Sequence, residues 1–118
     1  MKILYLEPDP YYHQKFRDAA LPETEWLFTR KPAELFSLVD AHKPDVVLME
    51  LLFEDVHGFE LLKRMKTRPD KSPAAIIIFS KLDDMEDIQK AMSCGATGYF
   101  VKGKNSIGEV RQLILSLS

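Results

Sequence analysis

Glu50 closes the apolar run Asp45–Met49 in the stretch KPDVVLMELLFEDVHGFELLKRMK. A carboxylate at the carboxyl end of a buried strand is poorly solvated unless donors are built around it, so its position marks a site. Other reactive side chains follow apolar runs in the same way: Glu7 and Asp9 follow Lys2–Leu6, Ser80 follows Ala74–Phe79, and Lys102 follows Tyr99–Val101. These carboxylates, one hydroxyl and one amine come from distant parts of the chain. Brought together, they offer charge pairing and donated hydrogen bonds.

They converge only if the runs are strands of one sheet. Short apolar runs alternate with helix-period segments from end to end, which is the rhythm of βα units on a parallel sheet. The strands are read as Lys2–Leu6, Glu25–Thr29, Asp45–Met49, Ala74–Phe79 and Tyr99–Val101. A first helix runs from Pro10 to about Ala20 and a second from Pro32 to about His42. A third begins near Gly58 or Phe59, with Phe59, Leu62 and Met65 on one face. Asp83–Ser93 carries Met85, Ile88 and Met92 at helical spacing, and the segment from Ser106 to Ser118 turns Ile107, Val110, Leu113, Ile114 and Leu117 inward. With right-handed crossovers this makes a three-layer α/β sandwich, and ligands or chemistry in such a sheet gather beyond the carboxyl ends of the strands.

Length and composition bound the reading. A chain of 118 residues fits one domain, 1–118, and 46% hydrophobic with 29% charged residues is ordinary globular composition. A net charge of -2 gives no reason to expect nucleic acid or an anionic membrane as direct partner. No run approaches the ~18 apolar residues of a membrane span, and the lone Cys94 fits a reducing cytoplasm, so a cytoplasmic location is expected. His13, His42 and His57 lack ligand spacing and are expected on the surface. Cys94 packs at the end of the fourth helix, Gly58 and Gly95 serve helix boundaries, and adjacent Tyr99 and Phe100 point to opposite faces, one to the core and one to solvent. Ser80 can simply cap the turn before the fourth helix, and Glu7 and Asp9 can be no more than turn residues flanking Pro8 and Pro10 in the first loop.

Taken in order, the motifs resemble the receiver domain of two-component response regulators over essentially the whole chain. ILYLEPDP resembles its first strand and acidic loop, and PDVVLMELLFEDVHGFELL its acceptor strand, loop and third-helix glycine. IIIFSK resembles the strand that ends in a hydroxyl, and GATGYFVKGK the last strand with its aromatic and lysine. The resemblance implies a flavodoxin-like (βα)5 fold with strand order 2-1-3-4-5. It also implies that an aspartate at the position of Glu50 takes a phosphoryl group from a histidine kinase. A magnesium ion would be held by that residue, by an acidic pair at Glu7 and Pro8, and by the Leu52 carbonyl. Ser80 matches the hydroxyl that meets the phosphoryl oxygen, Lys102 the lysine that pairs with it, and Tyr99 the aromatic that swings inward on activation. The face of the fourth helix, fifth strand and fifth helix would contact partners, with Lys90, Tyr99, Arg111 and Leu115 as candidates.

Three departures fall on that chemistry: Glu50 in place of aspartate, Pro8 in place of a carboxylate, and Gly103 after Lys102 where many relatives carry proline. The extra methylene of Glu50 moves the nucleophilic oxygen by ~1 Å, a misplacement that can cost about 100-fold. Proline gives a metal no charged ligand, so no Mg²⁺ or other cofactor is expected unless the acidic pocket still works. A longer Glu50 reaches toward the seat of a phosphoryl oxygen, where Lys102 can hold it and Ser80 can donate to it; the same ion pair can instead be no more than a vestige. The expectation is therefore a non-enzymatic, atypical receiver acting through a protein partner: kinase, output domain, other signalling protein or second copy. One rival is an Mg²⁺-dependent receiver phosphorylated on Glu50 or a nearby acid such as Asp55. Another is a flavodoxin-like small-ligand binder or enzyme, against which the acidic, proline-rich EPDP loop speaks because it would repel a phosphate. The Lys102–Gly103 peptide is trans by default.

Overall fold

The computed structural model describes residues 1–19, 22–70 and 72–117. Five parallel strands, β1 (Lys2–Leu6), β2 (Glu25–Thr29), β3 (Val46–Met49), β4 (Ala75–Ser80) and β5 (Gly98–Val101), pair in the order β2-β1-β3-β4-β5. The helices are α1 (Pro10–Asp18), α2 (Leu35–His42), α3 (Gly58–Lys66), α4 (Met85–Ser93) and α5 (Ile107–Ser116). This is a flavodoxin-like (βα)5 sandwich with the expected strand order 2-1-3-4-5.

Side-chain alternation along the strands builds two cores. Leu4, Leu6, Val47, Met49, Ile76 and Ile78 meet Leu35 and Val39 of α2, Leu61, Leu62 and Met65 of α3 and Ala91 of α4. Ile3, Tyr5, Val46, Leu48, Ile77 and Phe79 meet Phe16 of α1 with Val110 and Ile114 of α5. The central strands β1, β3 and β4 are buried along nearly their whole length, which explains why they read as continuous apolar runs, whereas the edge strands β2 and β5 each bury only their last residue. No described helix is long and apolar enough to cross a membrane.

Element ends follow local hydrogen bonding. Asp9 caps α1 by accepting from Tyr11 N at 2.9 Å, and Pro10 takes the first helical position. The helix stops at Asp18, and Ala20, its expected end, lies outside the described residues. Pro32–Glu34 forms a 3₁₀ turn before α2 instead of joining it, and Lys43 closes α2 with a left-handed φ of 49°. Asp45 lies outside β3 because its carboxylate accepts from Lys2 N (2.8 Å) and its carbonyl from Ala74 and Ala75 N (3.0 and 3.2 Å). The fourth strand is thereby displaced by one residue, so that Ser80 is its last member. Asp84 precedes α4, which begins two residues later than expected, and β5 takes in Gly98. Ser106 and Glu109 form a capping box on α5, whose expected end at Ser118 lies outside the described residues.

Several side chains sit where their spacing did not place them. Met85 is 65% and Met92 44% exposed; on α4 the residue fully against the sheet is the small Ala91, with Ile88 half-buried. Leu117 is 38% exposed because α5 turns Val110 and Ile114 inward and has ended by then. His13 is buried, wedged between Tyr5 and Phe28 at ring distances of 5.5 and 5.1 Å, and burial lowers its pKa below the ordinary histidine value. Tyr99 and Phe100 do point to opposite faces, but helices cover both, so each is half-buried against its own core.

Gly58 opens α3 where the chain comes back against the residue after Glu50. A Cβ there would lie 2.3 Å from the Leu51 carbonyl oxygen and 2.5 Å from Leu51 Cα, both rigid backbone. Gly58→Ala should therefore destabilise the fold by about 1–3 kcal/mol, read as a lower urea midpoint at unchanged slope. An unchanged midpoint would contradict this packing.

Candidate functional site

At the carboxyl edge of the sheet, Leu6 pairs with Met49 and Ser80 with Val101, so the residues after each strand meet in space. Glu50 N donates to the Leu6 carbonyl at 3.1 Å and Lys102 N to the Ser80 carbonyl at 2.9 Å, which continues the ladders one step beyond the strands. After β5 the chain turns tightly: Lys104 N and Asn105 N both donate to the Val101 carbonyl, and Asn105 Oδ1 accepts from Val101 N at 2.8 Å. That turn, with Gly103 at a left-handed φ of 85°, leaves Lys102 aimed back over the sheet.

The Lys102 ammonium lies between two carboxylates, 2.5 Å from Glu7 Oε1 and 2.9 Å from Glu50 Oε1. All three side chains are at least 97% buried. Every carboxylate oxygen has a donor. Glu7 Oε1 also accepts from the Tyr5 hydroxyl (3.2 Å), and Oε2 from Asp9 N (3.0 Å). Glu50 Oε1 accepts in addition from Lys81 N (3.2 Å), and Oε2 from Leu51 N (2.7 Å) and Leu52 N (3.3 Å). The Lys102 ammonium also lies 4.3 Å from the centre of the Tyr12 ring. This is the environment a buried ion needs, since desolvation must be offset by pairing and by satisfied lone pairs.

Two carboxylates and one ammonium leave an excess negative charge in a dry site. Burial raises the pKa of Glu7 above its ordinary 4.5, the hydrogen bond and charge of Lys102 pulling the other way with less effect. Burial also drives the Tyr5 hydroxyl far up, helped by the Glu7 charge, so Tyr5 remains a donor.

The other sequence-derived candidates are placed more loosely. The Asp9 carboxylate is spent on the α1 cap. Ser80 Oγ accepts from Leu82 N at 3.1 Å, in the turn leading to α4, and so serves that turn in place of the expected donation to Glu50. The Tyr99 hydroxyl donates to the Leu82 carbonyl at 2.7 Å, and burial lifts its pKa to about 12 while Ser80 opposes the rise. Cys94 is half-buried against the α2–α4 core. Asp55 is exposed, in a groove of about 490 Å³ lined also by Pro8, Arg30, Leu52 and Glu54.

A small divalent cation wants several oxygens in near-octahedral array. Here all four carboxylate oxygens are engaged, the Pro8 carbonyl accepts from Arg30 Nε at 2.9 Å, and a cationic ammonium already sits between Glu7 and Glu50. Among the described residues no cluster of His, Cys, Asp and Glu could hold a metal. The residues present do not fit such an ion.

Sequence reasoning passed over Tyr5 and Tyr12. Tyr5 was legible in principle, since residues i and i+2 of a strand share a face and Tyr5 precedes Glu7 by two. Tyr12 had no signal beyond its place in the first turn of a helix that starts above the site.

Glu7 makes pH a probe of the site. An acid whose folded pKa is raised favours the folded state most below its ordinary pKa of 4.5, and that contribution is lost as pH rises through the folded value. Glu7→Gln lacks this loss. In urea titrations at a series of pH values, the variant should gain stability relative to the parent from about pH 4.5 upward. A parent that gains on the variant over that window would mean the carboxylate is stabilised as an ion.

The family model for the response regulator receiver domain matches residues 13–114. The chain is 30% identical over 81 residues to the gliding motility regulatory protein of Myxococcus xanthus, a match covering 69% of this chain and 10% of that protein. It is 22% identical over 83 residues to the regulator of RpoS of Escherichia coli (strain K12), covering 70% and 24%. Sporulation initiation phosphotransferase F of Bacillus subtilis (strain 168) is 28% identical over 81 residues, covering 69% and 63%. The chain thus matches between about a tenth and under two thirds of the length of these relatives. The fold superposes on the signal receiver domain of a DNA-binding response regulator protein (merR) from Colwellia psychrerythraea 34H with a TM-score of 0.87 at 22% identity, covering 99% and 97% of the two chains. A two-component response regulator from Clostridium difficile gives a TM-score of 0.86 at 18% identity, covering 99% and 94%.

Proposed function

This chain belongs to the response regulator receiver domain family, and on that premise we propose that it is a pseudo-receiver, a signalling module that acts by protein contact and no longer takes a phosphoryl group. One observation carries the reading: Lys102 bridges Glu7 and Glu50 at 2.5 and 2.9 Å. In the family that this chain resembles, an aspartate, a metal and an incoming phosphoryl group would share this space. Here Glu50, with its longer arm, brings its own carboxylate to the lysine and to the amides of Lys81, Leu51 and Leu52. Its oxygens are saturated by donors and poorly placed to attack phosphorus.

The same carboxylate biases the domain toward one conformation. Glu50 holds Lys81 N, the next residue's carbonyl accepts from Tyr99, and Ser80 Oγ holds Leu82 N. Tyr99 is thereby turned in against the α2–α4 core, the position that the resemblance assigns to the activated state. One carboxylate supplies less charge and fewer oxygens than a phosphoryl group, so the bias is an imperfect mimic. The partner surface runs over α4, β5 and α5. Its candidates are Lys90, Tyr99, Arg111 and Leu115: the Lys90 ammonium lies over the Phe59 ring, while Leu115, 47% exposed, lines a groove with Met1, Pro22, Glu23 and Thr24; Met85 and Met92 of α4 are also exposed. Methionines on a surface suit an adaptable protein contact.

Incubation with a small phosphodonor and Mg²⁺, read by intact mass, should leave the parent unmodified; an adduct on Glu50 or Asp55 would overturn the pseudo-receiver reading. Glu50→Gln should move amide resonances from Leu51 through Lys81 and Leu82 to Tyr99. A spectrum changed only beside the mutation would remove the conformational bias and leave a passive ion pair.

A further inference from the structure

Lys102 has three N–H bonds and only two carboxylates. Its side chain is 3% exposed, so water does not serve the remaining one well. What lies on the open side is the ring of Tyr12, centred 4.3 Å from the ammonium. An ammonium within about 6 Å of a ring centre is attracted by the negative π face, most strongly when both are desolvated.

The ring is held in that pose. Asp9 and Pro10 set the start of α1, which puts Tyr12 in its first turn, with its amide donating to the Asp9 carbonyl at 3.2 Å. Phe79, at the end of β4, meets the ring edge-on at 5.6 Å, and Tyr11 does so at 5.1 Å. We infer that Tyr12 is a positioning residue that fixes the Lys102 ammonium between Glu7 and Glu50 and closes the cluster to solvent. The function follows from the electrostatics. With a π face on its third side, the ammonium is held aimed at the two carboxylates. The burial that raises the Tyr12 hydroxyl pKa, against the pull of Lys102, accords with a phenol kept neutral over a cation.

Ring-current shifts test this in the parent itself. The ε-methylene protons of Lys102 should resonate well upfield of those of exposed Lys104, and Tyr12→Phe should preserve the shift. Tyr12→Leu keeps apolar bulk but lacks a π face. It should abolish the shift and raise the rate of Lys102 acylation, mapped by mass spectrometry, by about tenfold, with Lys104 as unchanged reference. A residue that merely packed would lower thermal stability without moving Lys102 relative to Lys104. Parent ε-methylene protons at the Lys104 position, or equal Lys102 labelling in parent and Tyr12→Leu, would overturn the inference. If the leucine variant does not fold, the parent and phenylalanine spectra still decide. A phosphorylated parent would sink the pseudo-receiver reading yet leave the upfield shift in place, so the two fail separately.

Discussion

A lysine ammonium buried between two carboxylates is the interaction on which the rest of the site depends. Taking each ion out of water costs about several kcal/mol even after relaxation, and the mutual attraction offsets that only when the remaining lone pairs are satisfied. The sheet supplies the satisfaction. Main-chain amides of Asp9, Leu51, Leu52 and Lys81, all just beyond strand ends, donate to Glu7 and Glu50. The parallel order β2-β1-β3-β4-β5 brings those loops to one edge, with β1 and β3 adjacent at the centre. The chain thereby completes a closed ionic cluster from its own residues.

Much of this was legible in the amino-acid pattern. Continuous apolar runs marked β1, β3 and β4 because both of their faces are buried, and Glu50 and Lys102 stood out because charged groups ending such runs require partners. Glu25–Thr29 kept its bounds despite the large Trp26, which packs beside Phe16 at 5.3 Å. Periodicity failed where a helix overhangs the sheet or contacts it through a small residue. On α4 the spacing of Met85, Ile88 and Met92 matched a core stripe, yet Ala91 is what faces the sheet. His13 was misplaced for the opposite reason: its type suggests the surface, but α1 turns it into an aromatic layer. Tyr5 and Tyr12 escaped notice because their role lies in contact with a group brought from the far end of the chain.

The path from cluster to surface is short and built of hydrogen bonds. Glu50 to Lys81, and Leu82 to both Ser80 and Tyr99, tie the charge cluster to β5 and to the loop before α4. In the receiver family that the chain resembles, this loop and aromatic report on the acceptor. On the proposed reading the reporter is held by the Glu50 carboxylate through Lys81 and Leu82, which suits constant display of a partner surface better than switching.

The central claim is that Lys102 has taken over the space in which a metal and a phosphoryl group would act. An amide NMR titration with Mg²⁺ and then beryllofluoride, a phosphoryl surrogate, addresses it most directly. A spectrum unmoved at millimolar Mg²⁺ and after beryllofluoride is the result the account predicts. Saturable shifts at Glu7, Leu52, Ser80 and Lys102 that spread to Tyr99 would contradict it, because they would mean that the lysine yields its place and the pocket still accepts a phosphoryl-like group.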